Sequence, residues 1–421
     1  MKSRYFDKTH FIDRFYCHNW SALISSSIEK KIHESLINGN RNIGICPQDY
    51  KKWIEKLLKY NLEYNFFDNN ILHSFLFELY RNIHNHKILI VYPEYASKIN
   101  PFVKILTDEL EKDYIIDVNP EIFWDKKGNY DVIHFHWPEA IFYKPIANEE
   151  KIKKLKNVIH YWKSKKSTII YTRHNTQPHS TIDRNFNTKL YDIIEKNSNY
   201  IIHLGHWSKK EFIAHKPIQT NHIVIPHHLY EEYLSPWITR ERARDFLQIP
   251  KDRLVILTFG DFRNDEERKW TLNAFDTIDN KKKLLLAPRF GGAPSVKYSK
   301  NKAYRLDNEF IDEEKVPYYF IASDIVFIQR LKILNSGNVP LAFLFNKKVV
   351  GPNVGNVGEI LQKTHNFSFI PGDQTSVQKA FKAAINTKEC HNYKYAIKNW
   401  GIKRITNQYR KLYNQLFENN S

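Results

Sequence analysis

KILIVYPEYASKINPFVKILTDEL, residues 87–110, opens with a continuous apolar run that reads as a fully buried strand, 87–92. Asn100-Pro101 then supplies an N-cap and a first-turn proline for a helix running to about Lys112. This β-α unit recurs along the chain. IIDV, DVIHFHW (131–137), STIIYTRHN (167–175), NYIIHLG and HIVIPHH (222–228) read as further strands, separated by amphipathic stretches such as EEKIKKLKNVIHYWKSKK. Such alternation predicts a parallel, doubly wound sheet. A second series starts after the basic, helical ITRERARDFLQIP. Its strands are RLVILTFG (253–260), KKLLLAPR (282–289), SDIVFIQR (323–330), KKVVGPN (347–353) and FSFIPG, with helices expected at 269–278, 337–347, 355–363 and 375–387.

Upstream of Lys87 the periodicity differs. Ile24, Ile28, Ile32 and Leu36 recur every four residues, as do Trp53, Leu57, Leu58 and Leu62, so this region reads as helices. The expected organisation is a helical extension over 1–85, a first α/β domain over 86–240, a second over 241–390, and a C-terminal helix over 391–421. Ile402, Ile405, Tyr409, Leu412 and Leu416 give that last helix one apolar face that must dock on a domain.

Composition is globular: of 421 residues, 42% are hydrophobic, 14% aromatic and 26% charged, which disfavours disorder, collagen-like repeats and coiled coil. Lys+Arg number 64 against 46 Asp+Glu, a net of +18, which suits phosphates, anionic lipid or nucleic acid unless it reflects only a lysine-rich genome. Three scattered cysteines, Cys17, Cys46 and Cys390, form no CxxC, so neither a disulfide framework nor a cysteine zinc site is indicated. The N-terminus carries no apolar h-region and no window approaches a membrane span, so the expected location is the cytoplasm, with peripheral membrane contact at most.

In open parallel sheets ligands bind beyond the carboxyl ends of strands, which directs attention to five segments. In DVIHFHWPEA, His134 and His136 share a strand face, while Trp137, Pro138 and Glu139 turn the chain. His136 and Glu139 read as ligand contacts or loop anchors, and two histidines without a third ligand make no zinc site. In TRHNTQPH, His174 is placed to exchange a proton or hydrogen-bond a hydroxyl, with Asn175 beside it. In FGDFRNDEERKW, Gly260 permits close backbone approach, and Arg263 and Lys269 are cations where a diphosphate would lie; Asp265, Glu266 and Glu267 cap the following helix. In IQRLKILNSGNVPLAF, Asn335, Ser336, Gly337 and Asn338 open a helix whose amides suit an anion, or form a simple N-cap box. In GPNVGNVGEIL, Asn353, Gly355 and Gly358 make a tight loop, and Glu359 either accepts sugar hydroxyls or favours the helix start. No glycine spacing matches a dinucleotide fingerprint or a P-loop.

Two Rossmann-like halves carrying FGDFR, SDIVFIQR, ILNSGN and KKVVGPNVGNVGEIL in that order resemble GT-B-fold glycosyltransferases, in particular family four and related bacterial polysaccharide enzymes. DVIHFHWPE, TRHNTQPH and IPHHLY are similar to first-domain segments of a subset of these. The resemblance covers about residues 87–390 and implies sugar transfer from a UDP- or GDP-sugar, held by the second domain, to a saccharide or lipid-linked acceptor held by the first. It implies that Arg263 and Lys269 neutralise the departing diphosphate, that Ser336, Gly337 and Asn338 hold its oxygens, and that Glu359, with Asn353 and Gly260, lies by the sugar or ribose. His174 would touch the transferred sugar, and His136, Trp137 and Asn175 would face the acceptor. No metal and no cofactor is expected, because cations and amides stabilise the leaving group.

One departure stands out: the family's paired glutamates fall near Ile333 and Leu341, neither of them acidic. Family four implies retention of configuration, and an inverting reaction would take Glu139 or His174 as base. A GT-B-like nucleotide-sugar epimerase is the alternative enzyme. Outside enzymes the charge allows a nucleic-acid-binding protein, but Lys and Arg are spread over most expected helices rather than gathered on one surface, so no nucleic-acid partner is expected.

Overall fold

A computed structural model describes residues 86–420, apart from 94–95, 97–99, 143–148, 178–183, 217, 292–302 and 309. The helices expected over 1–85 lie outside the described residues. Among the described residues twelve strands, β1 to β12, form two parallel six-stranded sheets that, but for Lys87 and Ile115, belong to one compact unit.

The first sheet runs β2-β1-β3-β4-β5-β6. Its strands are β1 (Lys87–Val91), β2 (Ile115–Val118), β3 (Val132–Phe135), β4 (Thr168–Arg173), β5 (Tyr200–His203) and β6 (Asn221–Val224). The second runs β12-β11-β10-β7-β8-β9, with β7 (Leu254–Leu257), β8 (Lys283–Ala287), β9 (Tyr304–Leu306), β10 (Ile325–Phe327), β11 (Lys348–Pro352) and β12 (Phe367–Phe369). Both are Rossmann-like, covered by helices on both faces, which is why β1, β3 and β10 are apolar at nearly every position.

Strand edges are where sequence and structure part company. Apolar runs continue past the last paired residue, so that DVIHFHW contributes only Val132–Phe135 to the ladder. The edge strand β9 has three half-buried residues and no apolar run to announce it. The helix after β7 spans Asp265–Asp276, and its cap is Asn264, whose Oδ1 accepts from the Glu267 amide at 2.9 Å; the acidic residues fill the first turn instead. Pro101 is itself the N-cap of the helix Phe102–Leu110, with the Asn100 side chain accepting from the Phe102 amide.

The C-terminal stretch is two helices rather than one. Asn392–Trp400 packs on the second domain, with Trp400 stacked on Phe343 at 5.3 Å. Gly401 breaks the chain direction, and the next helix, Ile402–Asn420, begins where Glu231 accepts a hydrogen bond from the Ile402 amide at 2.8 Å. This helix returns to the first domain, where Arg410 donates to the Glu109 carbonyl and Tyr413 meets His134 at 2.8 Å. Among the described residues no helix is long and apolar enough to cross a membrane.

Candidate functional site

Each sheet reverses its strand order once, between β1 and β3 and between β7 and β10, and the loops leaving those strands open a crevice. Between them lies a pocket of 310 Å³. The first domain contributes Asn100 and Pro101; the second contributes Gly260, Asp261 and Arg263 after β7, Arg289 and Phe310, Arg330 after β10, and Asn335 to Asn338.

Three guanidinium groups line this pocket, each fixed by local partners. Arg330 donates to the Glu267 carboxylate and to the Asp261 carbonyl. Arg263 donates to the Lys332 carbonyl at 3.0 Å while its own amide reaches Glu267 at 2.9 Å. Burial and the neighbouring Arg330 charge lower Arg263 to about 10, which leaves it cationic at neutral pH. Arg289 pairs with Asp261 at 2.6 Å and lies over the Phe310 ring at 4.9 Å. Opposite them begins the helix Asn338–Leu344. Gly337 precedes it because a Cβ there would meet the Tyr230 hydroxyl at 2.8 Å, and Gly260 sits at φ +92°, where only glycine is comfortable. Asn338 ties the two loops together by donating to the Phe259 carbonyl at 2.6 Å.

A chain of amides joins this pocket to the first domain. The Asn335 side chain donates to the His174 carbonyl at 2.7 Å, Asn356 donates to Asn335 at 2.6 Å, and Asn356 accepts from the buried Ser208 amide at 2.9 Å. Gly205 makes room for it, since a Cβ there would fall 2.4 Å from Asn356. Glu359 completes the clasp by accepting from the Trp207 amide at 2.7 Å, at the start of the helix His206–His215. Asn356→Ala is expected to lower stability by about 1–3 kcal/mol, because it strands the Ser208 donor in the interior; a urea titration checks this.

Behind the pocket, Phe102 is the hub of a histidine shell. Its ring contacts His136, His174, His227 and His228 at centroid distances of 5.8, 4.8, 4.7 and 4.6 Å. His136 Nδ1 and His174 Nε2 are 3.0 Å apart, and Trp137 stacks on His174 at 3.7 Å. Burial holds His136 and His174 well below the ordinary imidazole value, and the neighbouring histidines add to this, so the pair is neutral. His134 is lowered to about 3 by burial, between Tyr413 and Thr172. Asn175 is buried, with no partner for its Nδ2 among the described residues.

The structure therefore gathers Gly260, Arg263, Ser336, Gly337 and Asn338 on one pocket; His136, Trp137, His174 and Asn175 lie at strand ends behind it and do not line it. It places four residues elsewhere. Lys269 is exposed on its helix and does not line the pocket. Glu359 accepts from the Trp207 amide in the clasp and lines a neighbouring hollow with Asn335 and Ser336, and Asn353 accepts from Gln362 at 2.8 Å. Glu139 turns to the opposite face of the first sheet, where it accepts from Tyr191 at 2.7 Å and burial raises its carboxyl. Arg289 and Arg330 are pocket cations that motif reading passed over, although each is the last residue of an apolar run, KKLLLAPR or SDIVFIQR. Among the described residues, no three His, Cys, Asp or Glu side chains converge as metal ligands do.

No protein-family model matches the chain, and no curated protein matches it in sequence. Solved structures do. Sucrose-phosphate synthase from Thermosynechococcus elongatus superposes with a TM-score of 0.62 at 14% identity, covering 79% of this chain and 100% of that one. HepE from Anabaena, solved with UDP and glucose, gives 0.59 at 11% identity over 79% and 100%. A glycosyltransferase from Rickettsia africae gives 0.55 at 13% identity over 79% and 99%. With two Rossmann-like sheets facing each other across a crevice and these neighbours, the chain has the GT-B fold.

Proposed function

We propose that this protein transfers a sugar from a nucleotide-diphosphate donor to a saccharide acceptor. The observation that carries the reading is the convergence of Arg263, Arg289 and Arg330 with the Ser336–Asn338 turn on one pocket between both strand-order reversals. Bond cleavage in such a donor develops charge on the diphosphate, and preorganised guanidinium and amide donors stabilise it without a metal or cofactor. A UDP-sugar is the favoured donor because the similar HepE was solved with UDP and with UDP-glucose.

On the acceptor side, His174 and Asn175 stand at the end of β4, and His174 is tied through its carbonyl to Asn335 of the donor pocket. A neutral imidazole accepts or donates a hydrogen bond to a sugar hydroxyl. The net charge of +18 suits docking beside anionic lipid that carries an acceptor, as in bacterial surface-polysaccharide assembly. Retention of configuration is favoured over inversion: of the two candidate bases, Glu139 is committed to Tyr191, which leaves His174 alone for an inverting reaction.

The test is a melting-temperature panel with UDP, GDP, ADP and CMP and their sugar conjugates, because a ligand of the folded state raises the transition by mass action. A selective rise with UDP is expected; no rise with any nucleotide overturns the donor-site assignment. His174→Ala should keep nucleotide affinity within about twofold and cut sugar turnover about tenfold or more, the scale of one positioned polar group. Full turnover in that variant removes His174 from the mechanism.

A further inference from the structure

Next to the donor pocket, and sharing Tyr233 and Glu313 with it, lies a larger hollow of 530 Å³. Its volume falls within the about 300–1,000 Å³ of small-molecule sites. The segment joining the two sheets forms one wall with Glu232 and Trp237, and the turn and helix around Glu313, Glu314 and Tyr318 form the other.

Aromatic and acidic side chains meet there, with one cation, Arg242, on the lining. Trp237 is 74% exposed, yet its backbone is pinned by Arg242, which donates to the Trp237 carbonyl at 2.9 Å. Tyr318 packs against the Phe246 ring at a centroid distance of 4.3 Å in a tilted arrangement. Between these aromatic faces stand Glu232, Glu313 and Glu314. Partial burial and the Glu313 charge push Glu232 upward, while Lys104 of the first domain opposes the shift.

We infer that this hollow binds a neutral or amino-bearing saccharide chain that continues out of the donor pocket. A pyranose ring has an aliphatic C–H face, which suits an exposed indole or phenol, and a rim of hydroxyl donors, which suits carboxylates. An apolar peptide would cover the three carboxylates and leave them unsatisfied. Uronate or phosphate groups would meet three carboxylates against one guanidinium, Arg242, which is already engaged by the Trp237 carbonyl. Continuity through Tyr233 and Glu313 makes the occupant an extension of whatever fills the crevice. Its role as acceptor rests on the glycosyl-transfer reading; its binding does not.

Saturation-transfer NMR on the full chain with chitotriose, glucosamine trisaccharide and trigalacturonate tests this. The neutral or the amino trisaccharide should receive transfer, trigalacturonate should not, and Trp237→Ala should weaken the binding tenfold or more, with Glu314→Gln weakening it less. The UDP-induced melting shift should be the same in Trp237→Ala as in the unaltered protein. No transfer to any trisaccharide, equal binding by Trp237→Ala, or equal binding of trigalacturonate overturns the inference. UDP binding with no saccharide bound fails this inference alone, whereas saccharide binding with no UDP shift fails the donor assignment alone.

Discussion

Arg263→Ala is expected to weaken UDP binding about 30- to 150-fold, the equivalent of about 2–3 kcal/mol for a lost charge-assisted contact. Among the described residues the guanidinium of Arg263 donates to the Lys332 carbonyl alone, so its removal should leave the melting temperature of the free protein nearly unchanged. Arg330→Ala should weaken UDP binding to a similar degree but also destabilise the free protein, because it leaves Glu267 buried without its cation. Arg330→Gln combined with Glu267→Gln removes the charge from both sides and separates the two effects. Lys269→Ala is the internal control: it stands on the exposed side of its helix and should change affinity less than about twofold, as surface substitutions remote from a site do. Calorimetry with UDP decides the matter. Unchanged affinity in both arginine variants, or a large loss in Lys269→Ala, would sink the placement of the diphosphate.

Acid should loosen the first domain from about pH 6.5 downward. Burial lowers His134 and His203 to about 3, from 6.5 in the unfolded chain, and also lowers His136, His174 and His228. Below pH 6.5 the unfolded chain takes up these protons and the folded chain does not, so stability is full above that pH and drains away as pH falls toward 3. At pH 5, His134 and His203 each contribute a loss of about 2 kcal/mol. Glu139 and Glu195, raised by burial, work in the opposite direction as they protonate more readily when folded, but they are fewer. The expected result is a melting temperature about 10 °C lower at pH 5 than at pH 7.5, at about 2–4 °C per kcal/mol. His134→Gln should flatten the dependence, and a melting temperature equal at both pH values would contradict the neutral histidine shell.

Much of the architecture was legible because parallel strands buried on both faces must be apolar along their length. KILIV, TIIYTR and KLLLA satisfy that demand on their own, and the breaks between them place the loops at which ligands collect. Strand β9 escaped because an edge strand of three half-buried residues carries no such demand. Gly260 and Arg263 were visible for a local reason, since they lie in the loop that leaves β7, and the Ser336–Asn338 turn because it opens the helix that follows β10.

What stayed hidden depended on angle or on distance along the chain. Lys269 and Arg330 are equally basic on paper, but Trp270 and Glu267 claim the inward face of the helix, and that phase turns Lys269 to solvent. Glu359 carries the same carboxylate whether it meets a ribose or the Trp207 amide, and only the approach of the helix His206–His215 settles which. The histidine shell is assembled from Phe102, His136, His174 and His227–His228, and the bond from His228 to Phe102 spans 126 residues. Local pattern determined the two parallel sheets and where their crevices open, since burial and chain stiffness act over a few residues. The pocket's cations, the amide clasp and the neutral histidines were decided by tertiary structure alone, because side-chain direction and desolvation exist only once distant segments have packed.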